Sequence, residues 1–279
     1  MVLSIKGLRV SASFLVIFIC DKYKRSVAKN RINLEYKDFT NQLYFQTVLN
    51  RKFALGIGVE YKNIRALTKT LVTTSSVGKT YFDKSDYFNA ISYLKYDTYD
   101  KKYFQKEGTY VDVDFRWFLF SSDYNNNFNS FSQLKARVGY AHTFFNKLTA
   151  HFTSEIGITM GNNDNDILEY HIGGYGENYI NTFTPLLGYE FASLSSNSFL
   201  KSSLALRYEF VEKHYFMSTL NIARADSDLF NDGRIFENTN TGYGIGYGFD
   251  SFLGPIELNY THSPNSKQSF WYFNLGYWF

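Results

Sequence analysis

The stretch FWYFNLGYWF, residues 270–279, combines alternating aromatic side chains with a terminal phenylalanine. Its strand-forming composition and its concentration of rings, including Phe273, Tyr277 and Phe279, are unusual for a chain terminus, which is more often polar and frayed. Aromatic side chains are favoured where a membrane meets water, and a closing strand has to present apolar groups to lipid. The stretch is therefore typical of the last strand of a bacterial outer-membrane β-barrel.

The composition of the whole chain favours the same class. Aromatic residues make up 20% of the 279 residues, yet only 44% of residues are hydrophobic and the mean hydropathy is −0.29. A membrane helix needs about 20 consecutive apolar residues, and the longest strongly apolar run here is residues 14–20. Polar and aromatic residues together are what a barrel with a wet lumen and a lipid-facing exterior requires.

Several segments alternate apolar and polar residues with a period of two, as strands do. In residues 111–119 the odd positions are apolar, whereas Asp112, Asp114 and Arg116 occupy even positions. The other clear segments are residues 31–37, 133–140, 200–210 and 256–261. A soluble β-sandwich also has one polar face, but stripes of about five apolar positions match the 9–11 residues of a tilted membrane strand. We therefore predict an all-β fold, an antiparallel transmembrane β-barrel.

The alternation predicts about twelve strands from Arg31 onward, joined by short turns and long polar loops. The predicted strands are 30–39, 41–50, 52–64, 87–98, 109–120, 132–145, 148–160, 198–211, 213–225, 241–252, 254–262 and 269–279. The predicted long loops are 68–85, 121–130, 161–197 and 226–240. Residues 30–279 are expected to form one barrel domain. Residues 1–29 are either a truncated barrel strand or a signal-like segment, and alternation from Leu8 to Phe14 favours the strand.

Four elements of the sequence resemble the BamA-type (bacterial surface antigen) outer-membrane barrel superfamily. The segment YDTYDKKYFQKEG (96–108) resembles a strand–turn–strand element of the form D-x-x-D-x-x-x-F-P-x-x-G, with Gln105 in place of proline. YHIGGYGENYINTFTPLLGY (170–189) is similar to the family's long inward-folding loop. LGPIELNY (253–260) and the final strand resemble the last two family strands. The resemblance implies a sixteen-strand barrel, of which about 12–14 strands are present here.

The resemblance assigns the inserted-loop motif to Gly173, Gly174, Leu187, Gly188 and Tyr189. Leu187 stands where the family carries an arginine that packs the loop against the barrel wall in assembly and secretion members. This departure favours the divergent barrels that follow patatin-like phospholipase domains. Counting strands back from Phe279 in the family barrel implies that about three of its strands are missing from this chain. The resemblance also implies a missing periplasmic or secreted N-terminal domain.

The polar stripes predict the side chains that line the lumen of the barrel. These side chains are expected to form a mixed-charge wall that packs the inserted loop and tunes permeation. The predicted lumen-lining residues are Asp112, Asp114, Arg116, Lys135, Arg137, Lys201, Arg207 and Glu209.

No catalytic residue, metal site or cofactor is expected within the chain. A nucleophilic-serine motif G-x-S-x-G is absent, and Gly78-Lys79-Thr80 lacks the first glycine of a phosphate-binding loop. The five histidines lack the paired spacing of zinc ligands, and the single Cys20 gives no intrachain disulfide. The net charge of +3 without a basic block argues against nucleic acid.

These observations predict an integral protein of the bacterial outer membrane that anchors or translocates an N-terminal domain. The alternatives are an outer-membrane assembly factor or secretion transporter, and a stand-alone pore. The expected partners are outer-membrane lipids, the barrel assembly machinery that recognises the C-terminal strand, and the missing N-terminal domain.

Overall fold

The computed structural model describes residues 2–5, 8–27, 30–73, 76–122, 128–176, 182–227, 229 and 237–276, with the backbone alone at 2–36 and 67–82. These residues form sixteen strands and one 3-10 turn, Asp166–Leu168. The strands are β1 Val2–Ile5, β2 Leu8–Val27, β3 Asn30–Leu49, β4 Phe53–Thr73, β5 Ser76–Asp97, β6 Gly108–Ser121, β7 Phe131–Phe144, β8 Leu148–Met160, β9 Tyr170–Ile172, β10 Phe183–Thr184, β11 Leu194–Ser196, β12 Ser198–Val211, β13 His214–Ala225, β14 Asn240–Ser251, β15 Gly254–Ser263 and β16 Gln268–Leu275. No helix in this part of the chain is long and apolar enough to cross a membrane.

Thirteen strands are ordered along the sheet as they are along the chain, from β1 to β8 and then from β12 to β16. Neighbours such as β2 and β3, or β8 and β12, pair in antiparallel register. The skipped strands β9, β10 and β11 form a separate three-stranded sheet within the connection between β8 and β12. The all-β, antiparallel fold class is confirmed.

Two predicted boundaries are wrong. Residues 30–39 and 41–50 are one strand, β3, which pairs with β2 without interruption from Asn30 to Val48. The apolar positions change parity between Tyr36 and Leu43, and this change imitates a turn although the backbone ladder continues. The predicted loop 68–85 is also wrong, because β4 continues to Thr73 and β5 begins at Ser76. Backbone hydrogen bonds do not depend on side-chain polarity, so a polar sequence can still form strand.

The chain divides into two compact units. Unit 1 contains residues 1–93, 114–133 and 160–167, and unit 2 contains residues 94–113, 134–159 and 168–279. Strands β5, β6, β7 and β8 each contribute residues to both units.

Each unit exposes apolar side chains and buries polar ones, the reverse of a soluble protein. On β12 in unit 2, Leu206 and Tyr208 are more than 40% exposed, whereas Lys201 and Arg207 are no more than 7% exposed. On β4 in unit 1, Ile57 is 62% exposed and Glu60 is 1% exposed. In water such a surface would be costly to expose, so the apolar face is matched to hydrocarbon and the polar face is turned away from it.

Candidate functional site: two inserted segments of unit 2

The connection between β8 and β12 packs a small hydrophobic core against strands of unit 2. Within it Tyr170, Ile172, Leu186 and Tyr189 are buried against Phe199 at the start of β12. Tyr170 also donates a 2.9 Å hydrogen bond to the carbonyl oxygen of Leu134 on β7. We call residues 168–197 the inserted loop. Its placement depends on burial of its own apolar residues rather than on a few surface contacts.

Gly173 and Gly174 form the tight backbone of the inserted loop. Their φ angles are 136° and 81°, a region that residues with a β-carbon rarely adopt. The Gly173 amide donates to the carbonyl oxygen of Thr184 at 3.0 Å, and the Gly174 amide donates to the carbonyl oxygen of Tyr189 at 3.0 Å. A β-carbon at Gly173 would collide with the carbonyl oxygen of Glu190. Both glycines therefore bring the two arms of the loop together.

The tip of the inserted loop, Leu187-Gly188-Tyr189, is held by neutral groups. With its amide oriented to satisfy both partners, Asn221 on β13 accepts from the Leu187 amide at 3.0 Å and donates to the Gly242 carbonyl at 2.8 Å. Ser266 donates to the Gly188 carbonyl at 2.8 Å. The Tyr189 hydroxyl donates to Asn240 at 3.1 Å. The tip is thus fastened by its main chain and by the Tyr189 hydroxyl, without a charge on the side chain at position 187.

A second attachment of the inserted loop is Tyr175. Its hydroxyl donates to the Glu257 carboxylate on β15 at 2.6 Å and accepts from the Asn259 amide at 2.6 Å. Its ring stacks on Tyr272 of β16, with centroids 4.8 Å apart and the planes 16° from parallel. Burial raises the pKa of Tyr175, and the nearby Glu257 carboxylate raises it further. Tyr175 therefore remains a neutral donor at physiological pH.

The turn between β5 and β6, residues 98–107, also folds against unit 2. One Asp100 carboxylate oxygen accepts from the amides of Lys106 and Glu107 at 2.8 and 3.2 Å, which closes the turn on itself. The Phe104 ring is 4% exposed and stacks on Tyr215 of β13 with centroids 4.7 Å apart. We call residues 98–107 the inserted turn.

Polar contacts attach the inserted turn to the same strands. Arg207 of β12 donates to the carbonyl oxygen of Gln105, and Lys106 forms a 2.6 Å ion pair with Glu209. Thr143 of β7 donates to the carbonyl oxygen of Lys106 at 2.8 Å. Gln105, which replaces the proline of the related motif, thus contributes its main-chain oxygen to the attachment.

One face of β14 carries glycine at four successive positions, Gly242, Gly244, Gly246 and Gly248, while the intervening Tyr243 and Ile245 are exposed. A β-carbon at Gly242 would collide with the Leu187 carbonyl oxygen, and one at Gly248 would lie 2.7 Å from the Phe104 ring. The absence of side chains allows both inserted segments to approach the same strand. We call this face the glycine face of β14.

Between the inserted loop and the inserted turn lies a cavity of about 300 Å³. The loop contributes Tyr175 and Leu187 to its wall, and the turn contributes Phe104. Strands β8 and β12–β15 supply the remaining wall. Unit 2 therefore holds a small, half-open cavity that both inserted segments help to line.

The predicted lumen-lining residues occupy the polar face in several separate clusters. In unit 2, Lys201 and Glu155 form a buried pair at 3.3 Å, Asp112 lies 3.8 Å from both Lys95 and Arg137, and Lys135 donates to the Phe183 carbonyl. In unit 1, Asp114 is half-buried and Arg116 binds the buried Glu60 carboxylate. The role of these residues in tuning permeation stays a prediction.

Of the predicted C-terminal residues, Phe273 lies on β16 and is 69% exposed, beside Trp271 at 70%. Tyr277 and Phe279 lie outside the described residues. The exposed rings of β16 continue the apolar face of the neighbouring strands.

Sequence reasoning missed Tyr175, Asn221, Phe104 and the glycine face of β14 as parts of the site. The spacing G-x-G-x-G-x-G from Gly242 to Gly248 was a detectable signal, because strand glycines often mark the close approach of another segment. Among the residues that the structure describes, no group of three or more histidine, cysteine or acidic side chains is placed to hold a metal ion.

Comparison with known proteins decides the family. A model of the OMP85 superfamily matches residues 11–279, nearly the whole chain. The chain belongs to the Omp85 superfamily. Members of this superfamily are β-barrel proteins of the bacterial outer membrane, so the predicted family, barrel fold and location are confirmed. No curated protein sequence matches the chain.

Solved structures with a similar fold include two outer-membrane proteins. One is the crystal structure of BamA from Haemophilus ducreyi lacking POTRA domains 1–3, with a TM-score of 0.64 and 12% identity over 92% of this chain and 56% of that one. The other is CdiB from Acinetobacter baumannii, with a TM-score of 0.58 and 9% identity over 97% of this chain and 47% of that one. This Omp85 chain thus spans about half the length of each structure.

The inserted turn of this Omp85 protein provides a pH-dependent prediction. The Tyr99 hydroxyl lies 2.9 Å from His151 Nε2, and burial raises the pKa of Tyr99 to about 12. Since an unfolded tyrosine has a pKa of about 10, the stabilisation by Tyr99 is fully present below pH 10 and is lost as pH rises through 12. Unfolding titrations of the native protein and the Tyr99→Phe variant should therefore differ in their pH dependence only above about pH 10. A constant difference from pH 7 to 12 would contradict this assignment.

Proposed function

We propose that this chain is the outer-membrane anchor and translocation module of a larger polypeptide with a periplasmic or secreted N-terminal domain. The domain we expect is a patatin-like phospholipase. In this proposal the chain itself supplies no catalytic residue, and lipolysis belongs to the attached domain. The barrel assembly machinery recognises the aromatic final strand and inserts the protein into the membrane.

The observation that carries this proposal is the neutral attachment of the inserted-loop tip. The family resemblance implies an arginine in assembly and secretion members at the position where this chain has Leu187. Here Asn221 binds the Leu187 main chain, and the leucine side chain lies against Gly244, where a β-carbon would be 3.1 Å from Leu187 Cδ1. An attachment made by apolar and main-chain contacts supports a fixed, anchoring role rather than active insertion of other proteins.

The direct test is to isolate the native polypeptide with antibodies against an exposed turn of this chain. The isolated protein is then treated with a fluorophosphonate, which labels activated serine nucleophiles. We expect a labelled polypeptide larger than the 32.5 kDa of this chain, with heat-denatured protein as the unlabelled control. An unlabelled native polypeptide would overturn the lipase assignment.

Structural similarity to BamA and CdiB favours a second candidate, an assembly or secretion transporter. This candidate predicts repeated periplasmic domains in the native polypeptide and faster insertion of an unfolded client barrel into liposomes containing it. A stand-alone pore predicts instead a native polypeptide of about 32.5 kDa with stable, discrete conductance in planar bilayers. Peptide mapping of the isolated protein distinguishes the three candidates.

A further inference from the structure

The structure assigns a binding site for a small tetrahedral oxyanion, such as inorganic phosphate, to the cavity of unit 2. The site is centred on Arg207, with the hydroxyl groups of Thr219 and Ser203 beside it. This inference does not depend on which domain the barrel carries.

Arg207 carries a buried positive charge. Its side chain lines the cavity, and the residue is only 7% exposed. Its described hydrogen bond goes to an uncharged acceptor, the Gln105 carbonyl oxygen, and no carboxylate of the described residues lies within ion-pair distance of it. A guanidinium has five N–H donors, and a buried charge is costly unless it is paired. The site therefore favours a bound anion.

Small hydroxyl side chains line the cavity wall near Arg207. Lys201, Ser203, Ala205 and Arg207 lie on one face of β12, and the register places Thr219 of β13 opposite Ala205. All of them line the cavity. Neither the Ser203 nor the Thr219 hydroxyl has a hydrogen-bond partner among the described side chains. The small side chain of Ala205 leaves room between these donors and the guanidinium.

Glu257 in the wall and Asp100 in the inserted turn interact favourably with Arg207 at longer range, but neither forms an ion pair with it. Lys201 is neutralised by Glu155 at 3.3 Å, and Lys102 lies over the Tyr103 ring at 5.3 Å. The acidic lining residue, Glu257, accepts the Tyr175 hydroxyl at 2.6 Å. Apart from the Lys201–Glu155 pair, the lining carries two basic side chains, Lys102 and Arg207, against this one carboxylate.

The position of the cavity favours a free ion over a lipid headgroup. Ser203, Ala205 and Arg207 alternate along β12 with the exposed Leu204, Leu206 and Tyr208. Successive strand residues point to opposite faces, so the cavity lies on the face opposite to the apolar one. The anion therefore arrives from the aqueous side.

The test is calorimetric titration of inorganic phosphate into the folded chain in a neutral maltoside detergent. We expect saturable binding that Arg207→Met weakens about 10- to 100-fold, the effect of losing charge-assisted hydrogen bonds. Lys95→Met is the matched control, because Lys95 belongs to the same unit, is 49% exposed and does not line the cavity. This control should bind phosphate as the native chain does.

Thr219→Val tests the site without altering a charge and should weaken binding about 3- to 10-fold. This variant decides the outcome if Arg207→Met does not fold, as judged by circular dichroism. Absence of phosphate binding, or binding unchanged in every folded variant, would overturn the inference. Loss of phosphate binding when phosphatidylglycerol is added would also overturn it, because the site would then belong to a lipid headgroup.

Discussion

Replacing Arg116 with methionine is expected to lower the free energy of unfolding by about 3–5 kcal/mol, the usual cost of leaving a buried charge without its partner. The buried partner is Glu60, which is 1% exposed. Arg116 donates to both of its carboxylate oxygens, at 2.7 and 3.1 Å. Asn89 donates to the same carboxylate at 2.8 Å. Without Arg116, Glu60 keeps only the neutral donors Asn89 and Gln42 and a weaker interaction with Lys62, which forms an ion pair with Asp38.

The measurement is denaturant unfolding of the liposome-inserted protein, followed by tryptophan fluorescence. Adding Glu60→Gln to Arg116→Met should recover part of the loss, because the remaining buried group is then uncharged. Lys95→Met serves as the control, since the Lys95 side chain is 49% exposed and its long 3.8 Å contact with Asp112 should contribute at most about 1 kcal/mol. An Arg116→Met loss no larger than that of Lys95→Met would show that the unit 1 cluster is not buried as described.

Gly242→Val should release the tip of the inserted loop from β14. A β-carbon at this position collides with the Leu187 carbonyl oxygen, and valine adds further volume. Overpacking of a well-packed contact typically costs about 1–3 kcal/mol. If that cost falls on docking of the loop, the population of molecules with the loop detached from β14 rises by about 5- to 150-fold. Cleavage of the loop by chymotrypsin should become faster by the same factor, because the protease cuts the detached loop.

Gly244→Ala is the matched control for this experiment. A β-carbon there would meet the end of the Leu187 side chain at 3.1 Å and a Thr261 methyl at 3.3 Å, and both can shift by small amounts. We expect nearly native cleavage of this variant. Equal cleavage of the loop in Gly242→Val and native protein would mean that the tip does not rest on β14.

The faces of the strands could be predicted because each depends on a local, period-two pattern. The alternation of Leu204, Leu206 and Tyr208 with Lys201 and Arg207 identifies the apolar and polar faces of β12 without any tertiary information. The same logic failed where the apolar positions changed parity between Tyr36 and Leu43, and where β4 and β5 are polar. At these positions the backbone pairing of the strands continues, and the pattern of side chains along one segment does not predict it.

The contacts of the site could be predicted only in outline. The Gly173-Gly174 pair and the family resemblance indicated an inserted loop, but they did not indicate what holds it. Tyr175 and Glu257 are 82 positions apart in sequence, and Lys106 and Glu209 are 103 apart. Such pairs depend on which strands become neighbours and how far each segment reaches.

One face of each strand touches acyl chains, and the opposite face does not. Spin labels placed one at a time at positions 203–208 of β12, in a Cys20→Ser background, test it in phospholipid bilayers. We expect accessibility to oxygen to peak at 204, 206 and 208, and to be low at 203, 205 and 207. Oxygen accessibility without this alternation, or with maxima at 203, 205 and 207, would show that the even-numbered face of β12 does not touch acyl chains.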